Sequence, residues 1–399
     1  MRARPTPTLT LLALLMLAAL PASSPMAQEA VRPPVPEAAG TAGTDGGEAA
    51  GCQAPAPVCA AADSVYAIAG FTPLASAVRV EPDRLVTARH AVADLDSVEV
   101  FTHDGRRLVA AVVPTDYPGD LILLQVDGLG DGPVAAVGQV YSSPVWVVGA
   151  DVDRGSVHPF ESGQITAEPA AGYPLSRLHV DAQAQPRTSG GGLFDADGRL
   201  LGIVAAGGEG RNEAVPATDI ERLQRRSGDD YSEVSKEVGT AVRQCFDLLE
   251  RPEAFRTLGA EGPQRLAETC IDTGNRQYFD RAGQALVKDG DLALGLDLFR
   301  RSLAQDPNGP NTRLSYAIAL HMAGDYKAEI EQLHWLLEHL PDDPRVLRLA
   351  VQAGKWGNAP DLVETALARI AESFPQQLEA ARRFVTSDTP PPKPAGRTD

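Results

Sequence analysis

Positive charge is scarce in this chain: 36 Lys and Arg stand against 53 Asp and Glu, a formal net charge of -17. Such a surface has no basic face with which to displace counterions from a phosphate backbone, which argues against nucleic acid as a partner. It is not drawn to anionic lipid either. Long apolar runs are scarce too. Leu11 to Leu20 is unbroken, yet too short to span a bilayer. Cysteine is limited to four, with no CxxC and no histidine pair nearby, so zinc is not indicated. HExxH, a P-loop and a GxGxxG at a strand-to-helix junction are all missing. No metal or organic cofactor is expected.

Arg2 and Arg4 precede the apolar run, Pro21 breaks it, and small residues lead to Ala27. This reads as a signal peptide over 1–27, cleaved near Ala27–Gln28. The expectation is a periplasmic or secreted protein with no membrane insertion after cleavage. An even cysteine count suits an oxidising compartment. Of three connectivities, the local pairs Cys52–Cys59 and Cys245–Cys270 are favoured; free buried thiols are the alternative.

Residues 28–63 are rich in Pro, Ala, Gly and Glu and read as a flexible linker. From 64 to 222 short strands follow one another between turns, among them SVYAIAGF, RLVTARHAV, DLILLQV, PVWVVGA and RLLGIVAAG. That spacing predicts an all-β barrel or sandwich, with a hairpin at Asp197-Gly198. Residues 223–275 read as a helical connector. Over 276–385 a period of 34 emerges: Gly290 and Gly324, Phe299 and Leu333, and Pro307, Pro341 and Pro375 keep one register. Paired helices with a glycine at the inner turn and a proline closing the second helix resemble tetratricopeptide repeats, the third unit being degenerate. The tail 386–399, with TPPPKP, is expected to be disordered.

A serine hydroxyl becomes a nucleophile only with a base, a group orienting that base, and donors for the oxyanion. The chain offers His90 after a strand in RLVTARHAV, Asp120 before one in GDLILLQV, and Ser189 in DAQAQPRTSGGGLFDADGRLLGIV. Each alone reads as a structural histidine, a turn aspartate or a loop serine; the ordered set is specific. These three stretches resemble the catalytic motifs of chymotrypsin-fold serine proteases, and the bacterial HtrA-like branch above all: L-T-x-x-H-V, D-L-A-L-L and D-A-x-x-x-P-G-N-S-G-G-P-L. The resemblance covers about residues 64–222. It implies a trypsin-like double antiparallel β-barrel, two barrels of six strands, with His90 and Asp120 on the first and Ser189 on the second. Ser189 would be the nucleophile, His90 the general base and Asp120 its orienting group. Asp116 lies near but does not directly precede LILL. The oxyanion hole would be the backbone N–H groups of Arg187 and Ser189.

Two of the departures from the motif stand out. Arg187 stands where the family has glycine, and Gly192 where it has proline. An arginine reaches glycine-like geometry only at a cost, so two readings stay open: a serine endopeptidase acting through an acyl-enzyme, or a protease-like scaffold that binds without turnover. The substrate pocket implied by the fold is lined by Gln183, Ala205, Ala206 and Gly207. Small residues there, with no acid at Gln183, predict cleavage after small or medium apolar residues rather than Lys or Arg. The helical repeats occupy the place where HtrA-like proteins carry PDZ domains. Their groove is expected to recruit a protein or peptide substrate or a partner; a purely structural buttress is the alternative.

Overall fold

The structure, a computed structural model, describes residues 52–151, 156–185, 187–206, 211–251, 253 and 256–394. The expected signal peptide and most of the linker lie outside them.

Six strands close into an antiparallel barrel: β1 (Val65–Ala69), β2 (Ala75–Glu81), β3 (Arg84–Thr87), β4 (Ser97–Phe101), β5 (Arg107–Val113) and β6 (Ile122–Val126), in the order β1-β2-β3-β6-β5-β4. Alternation decides which side chains enter. In SVEVF, Val98 and Val100 are buried while Ser97 and Glu99 are exposed, as a period of two requires. The interior is filled by Ile68, Leu85, Val100, Ile122 and Leu124.

A second antiparallel sheet has seven strands: β7 (Val145–Asp151), β8 (Ser156–Pro159), β9 (Ile165–Ala167), β10 (Leu178–Val180), β11 (Gly192–Asp195), β12 (Leu200–Ala206) and β13 (Asn212–Pro216). Their order is β8-β7-β11-β12-β13-β10-β9, curled into a half-barrel. The Asp197-Gly198 hairpin joins β11 to β12, with Gly198 at φ 74° and its N–H donating to Asp195 O. Every residue of β7 is buried, because one face packs into this sheet and the other meets the first barrel. There the Ala150 N–H donates to Ser76 Oγ of β2 at 2.9 Å.

The end of the expected linker is folded. Residues 56–61 form helix α1 (Ala56–Ala61), clipped by the Cys52–Cys59 disulfide. Its Val58 is fully buried with Phe194 and Leu200. One apolar residue in an otherwise small-residue stretch suffices to dock it.

After the one-turn helix α2 (Arg89–Val92) and α3 (Ile220–Arg225), the chain is helical. The connector comprises α4 (Ser232–Glu250) and α5 (Gly262–Ile271), joined by Cys245–Cys270. Three helix pairs and a last helix follow: α6 (Arg276–Asp289) with α7 (Leu292–Gln305), α8 (Pro310–Ala323) with α9 (Tyr326–His339), α10 (Pro344–Trp356) with α11 (Pro360–Ser373), and α12 (Pro375–Thr386). The first two inner turns are built alike: Gly290 (φ 98°) and Gly324 (φ 72°) end one helix in the left-handed region, and Asp291 and Asp325 cap the next through their side chains. This is glycine's usual place at a helix end. In the third pair Asn358 takes the positive φ (57°) and Pro360 opens the helix without a side-chain cap. The start of the tail is ordered against these helices. Lys355 Nζ donates to Phe384 O and Ser387 O, and Trp356 Nε1 to Thr389 O, so donors at the end of α10 satisfy carbonyls of the last turn of α12 and of the segment after it.

Candidate active site

His90 lies in α2, one turn beyond β3, and Asp120 immediately precedes Leu121 and β6, the neighbour of β3 in the barrel. The pairing of β3 with β6 therefore brings together two residues thirty apart in sequence. His90 Nδ1 is 2.7 Å from Asp120 Oδ2, and the His90 backbone N–H donates to Asp120 Oδ1 at 3.1 Å. The Arg89 N–H donates to Asp120 O at 3.3 Å. Both carboxylate oxygens thus face one residue, which fixes the imidazole in plane and keeps Nε2 free to work outward.

Asp120 is 2% exposed. Burial pushes its carboxyl up, but the charge of His90, the hydrogen bond from its ring, the charge of Arg177 and the His90 N–H together hold it below the usual carboxylate range. An ionised carboxylate this deep persists only when paired in this way.

Ser189 arrives from the other sheet. Two turns flank it: the Thr188 N–H and Oγ1 both donate to Gln185 O, and the Gly191 N–H to Thr188 O. Gly190 N–H to Val204 O (2.7 Å) and Val204 N–H to Gly191 O (2.8 Å) pin that turn to β12. The Ser76 N–H of β2 donates to Ser189 O at 2.9 Å, tying the turn to the first barrel. The approach is so close that a side chain at Gly190 would collide with Ser76 O and Thr87 Oγ1 and stand 3.1 Å from Ala88 N. Ala88 is two residues before His90. Among the described residues, Ser189 Oγ and His90 Nε2 share no hydrogen bond.

Arg187 takes φ 98°, the region that favours glycine. The arginine therefore adopts the conformation its position demands of a glycine. Among the described residues, neither its N–H nor that of Ser189 donates to a protein acceptor.

The remaining candidates are spread along the same edge. Gln183 is exposed and its N–H donates to Glu161 O. The Ala205 side chain packs inward with Ile203 and Val215, so only its backbone is offered to a ligand. Ala206 pairs with Glu213 across β12 and β13, and Gly207 lies outside the described residues. Asp116 is bound by both guanidinium arms of Arg226 at 2.8 Å, away from His90.

Ser76, the residue stapling the two sheets, carries no signal in the sequence pattern, and neither does Arg177. Arg89 is buried beside Asp120, donating to Thr115 O and to Ser235 O of α4. Its place inside RLVTARHAV, a charge between a buried strand and the histidine, was the available signal.

Residues 75–203 match the family described as the trypsin-like peptidase domain. The chain is 30% identical over 234 residues to a probable periplasmic serine endoprotease, DegP-like, of Pseudomonas putida, covering 52% of this chain and 47% of that protein. It is 25% identical over 232 residues to the serine protease Do-like HtrA of Bacillus subtilis, covering 53% and 50%. The match spans about half the length of these relatives. Among solved structures, the HtrA-type protease AlgW with a tripeptide is 28% identical, with 42% of this chain and 61% of that chain covered and a TM-score of 0.36. The inactive form of the Rv3671c protease is 22% identical, with 44% and 97% covered and a TM-score of 0.37.

Proposed function

We propose that this chain is an exported serine endopeptidase that cleaves protein or peptide substrates through Ser189, His90 and Asp120. The observation carrying the reading is the buried His90–Asp120 pair, doubly hydrogen-bonded, with the Ser189 turn tied to the same barrel through Ser76. His90 Nε2 takes the Ser189 proton as Oγ bonds to the substrate carbonyl carbon. The N–H groups of Arg187 and Ser189 receive the negative charge that develops on the carbonyl oxygen. Collapse breaks the C–N bond, His90 returns the proton to the leaving amine, and water then hydrolyses the acyl ester by the reverse roles. Export is supported by the two disulfides and by the periplasmic relatives.

The proposal extends to specificity and recruitment. The small residues Ala205, Ala206 and Gly207, with uncharged Gln183, favour small or medium apolar residues at the cut. The helix pairs, of the tetratricopeptide kind, recruit substrate or a partner in their groove.

One observation favours a second reading, a protease-like scaffold without turnover: the missing Ser189–His90 hydrogen bond among the described residues. A fluorophosphonate probe separates the two. Labelling of the wild-type protein, lost in Ser189→Ala and His90→Ala, is the expected result. An unlabelled wild type would establish the scaffold.

A further inference from the structure

At Asp120 the barrel, the second sheet and the helical region meet around a narrow cavity. Its walls include Asp120, Tyr117, Arg177, Asp219, Asn275 and Gln305. Arg177 is almost fully buried, at the start of β10. Its guanidinium is gripped from two sides. Nη1 donates to Glu213 Oε2 of β13 at 3.2 Å, and Nη2 to Asn275 Oδ1, the cap of α6, at 3.2 Å. Its own N–H donates to Asp306 Oδ2 at the end of α7, at 3.3 Å. A buried arginine costs several kcal/mol to desolvate and this one faces the one carboxylate on which His90 depends.

We propose that Arg177 is a positioning residue for Asp120: clamped between Glu213 and Asn275, it supplies the fixed positive charge that keeps the Asp120 carboxylate ionised and aimed at His90. The inference rests on the catalytic reading above and deepens it. It makes the helical region part of the active centre, since Asn275 belongs to that region.

The surrounding charges bear this out. From the sheet, Glu213 and His179 face the site; from the helical region come Asp306 and Arg276. Arg276 lies 3.4 Å from Asp306 and also pairs with Glu213. His179 Nε2 contacts Asp306 at 2.8 Å. Two acids, one arginine and a histidine thus pair among themselves, although His179 Nδ1 and Arg276 Nε find no hydrogen-bond partner among the described residues. Tyr117 is committed to Asp219 at 2.6 Å. Arg89 also interacts with the Asp120 charge, but its Nη1 and Nη2 donate to Ser235 O and Thr115 O, and Tyr278 is neutral, its hydroxyl pushed up by burial and by Asp120. Arg177 and Arg276 both line the cavity with Asp120; Arg276 is committed to Glu213 and Asp306, and Arg177 is the arginine whose charge helps hold the Asp120 carboxyl down.

Removing that cation lifts a repulsion from the protonated imidazole, so the coupled His90–Asp120 pair holds its proton to higher pH. Three full-length variants test this: Arg177→Met, Arg177→Lys and Asn275→Ala. Two readouts are taken on each: the pH midpoint of fluorophosphonate labelling, and the pH midpoint of the low-field proton on His90 Nδ1 by NMR. In Arg177→Met both midpoints should rise by about one pH unit. Arg177→Lys should stay near wild type, and Asn275→Ala should move part of the way with substrate KM unchanged. Slower labelling with an unmoved midpoint in Arg177→Met and Asn275→Ala would make Arg177 merely structural and overturn the proposal. If Arg177→Met does not fold, Asn275→Ala decides by the same shift. A wild type that never labels sinks the catalytic reading instead, while the NMR midpoint still judges the role of Arg177.

Discussion

Arg187 sits at φ 98° in the turn that delivers Ser189. A side chain in this region costs about 1–2 kcal/mol relative to glycine, and the hydrogen bonds pinning the turn to β12 hold it there. Arg187→Gly should therefore stabilise the protein by about 1 kcal/mol, read as a higher midpoint in urea, and should leave labelling of Ser189 at least as fast. A slower, less stable variant would show that the arginine side chain, not only its backbone, serves the site. At this scale the sequence was legible where motif order spoke. His90 and Asp120, which the structure brings into contact, each border a strand whose pattern is plain in the sequence. Arg177 was not found, because its partner Asn275 is 98 residues away and nothing in SRLHV marks that arginine as buried.

Elements differ in how much of their own making they carry. The 34-residue period located the helix pairs because the inner turns need a left-handed residue, and Gly290 and Gly324 announce it. The third turn was harder to read since Asn358 does the same work. Helix α1 was illegible: six residues of small side chains are held by the burial of Val58, a tertiary effect that overrides weak local propensity. The connector depends on a covalent tie. Cys245 and Cys270 are 25 residues apart and both fully buried. Replacing both by Ala should cost about 3 kcal/mol by loop-closure entropy, measured by denaturant unfolding. The loss should show first as faster hydrogen exchange in α4, whose Ser235 holds Arg89.

For the molecule as a whole, the joint between sheet and helices is acid-labile. Burial pushes the Asp306 carboxyl up, but hydrogen bonds from His179 and Ser176 and the charges of Arg276 and His179 outweigh it and hold it well below the usual range. Glu213 is lowered against its burial by Arg276, His179 and Arg177. Both titrate lower in the folded state than in the unfolded one. Their stabilisation is therefore complete above the unfolded carboxylate value near pH 4 and is lost as pH falls below it. Thermal midpoints should fall progressively as the pH drops below about 4. Asp306→Asn should lower the midpoint at neutral pH and flatten the acid decline, as calorimetry would record.

The loops between helix pairs lean on the second sheet. Asp306 meets Ser176 and His179, while Asn311 and Asp343 meet Arg211. The inner turns at Gly290 and Gly324 lie at the opposite ends of the same helices. The stack thus rests on the second sheet at one end of its helices. Cutting the helices away would remove Asn275 and Asp306 together, and with them two of the groups that hold Arg177.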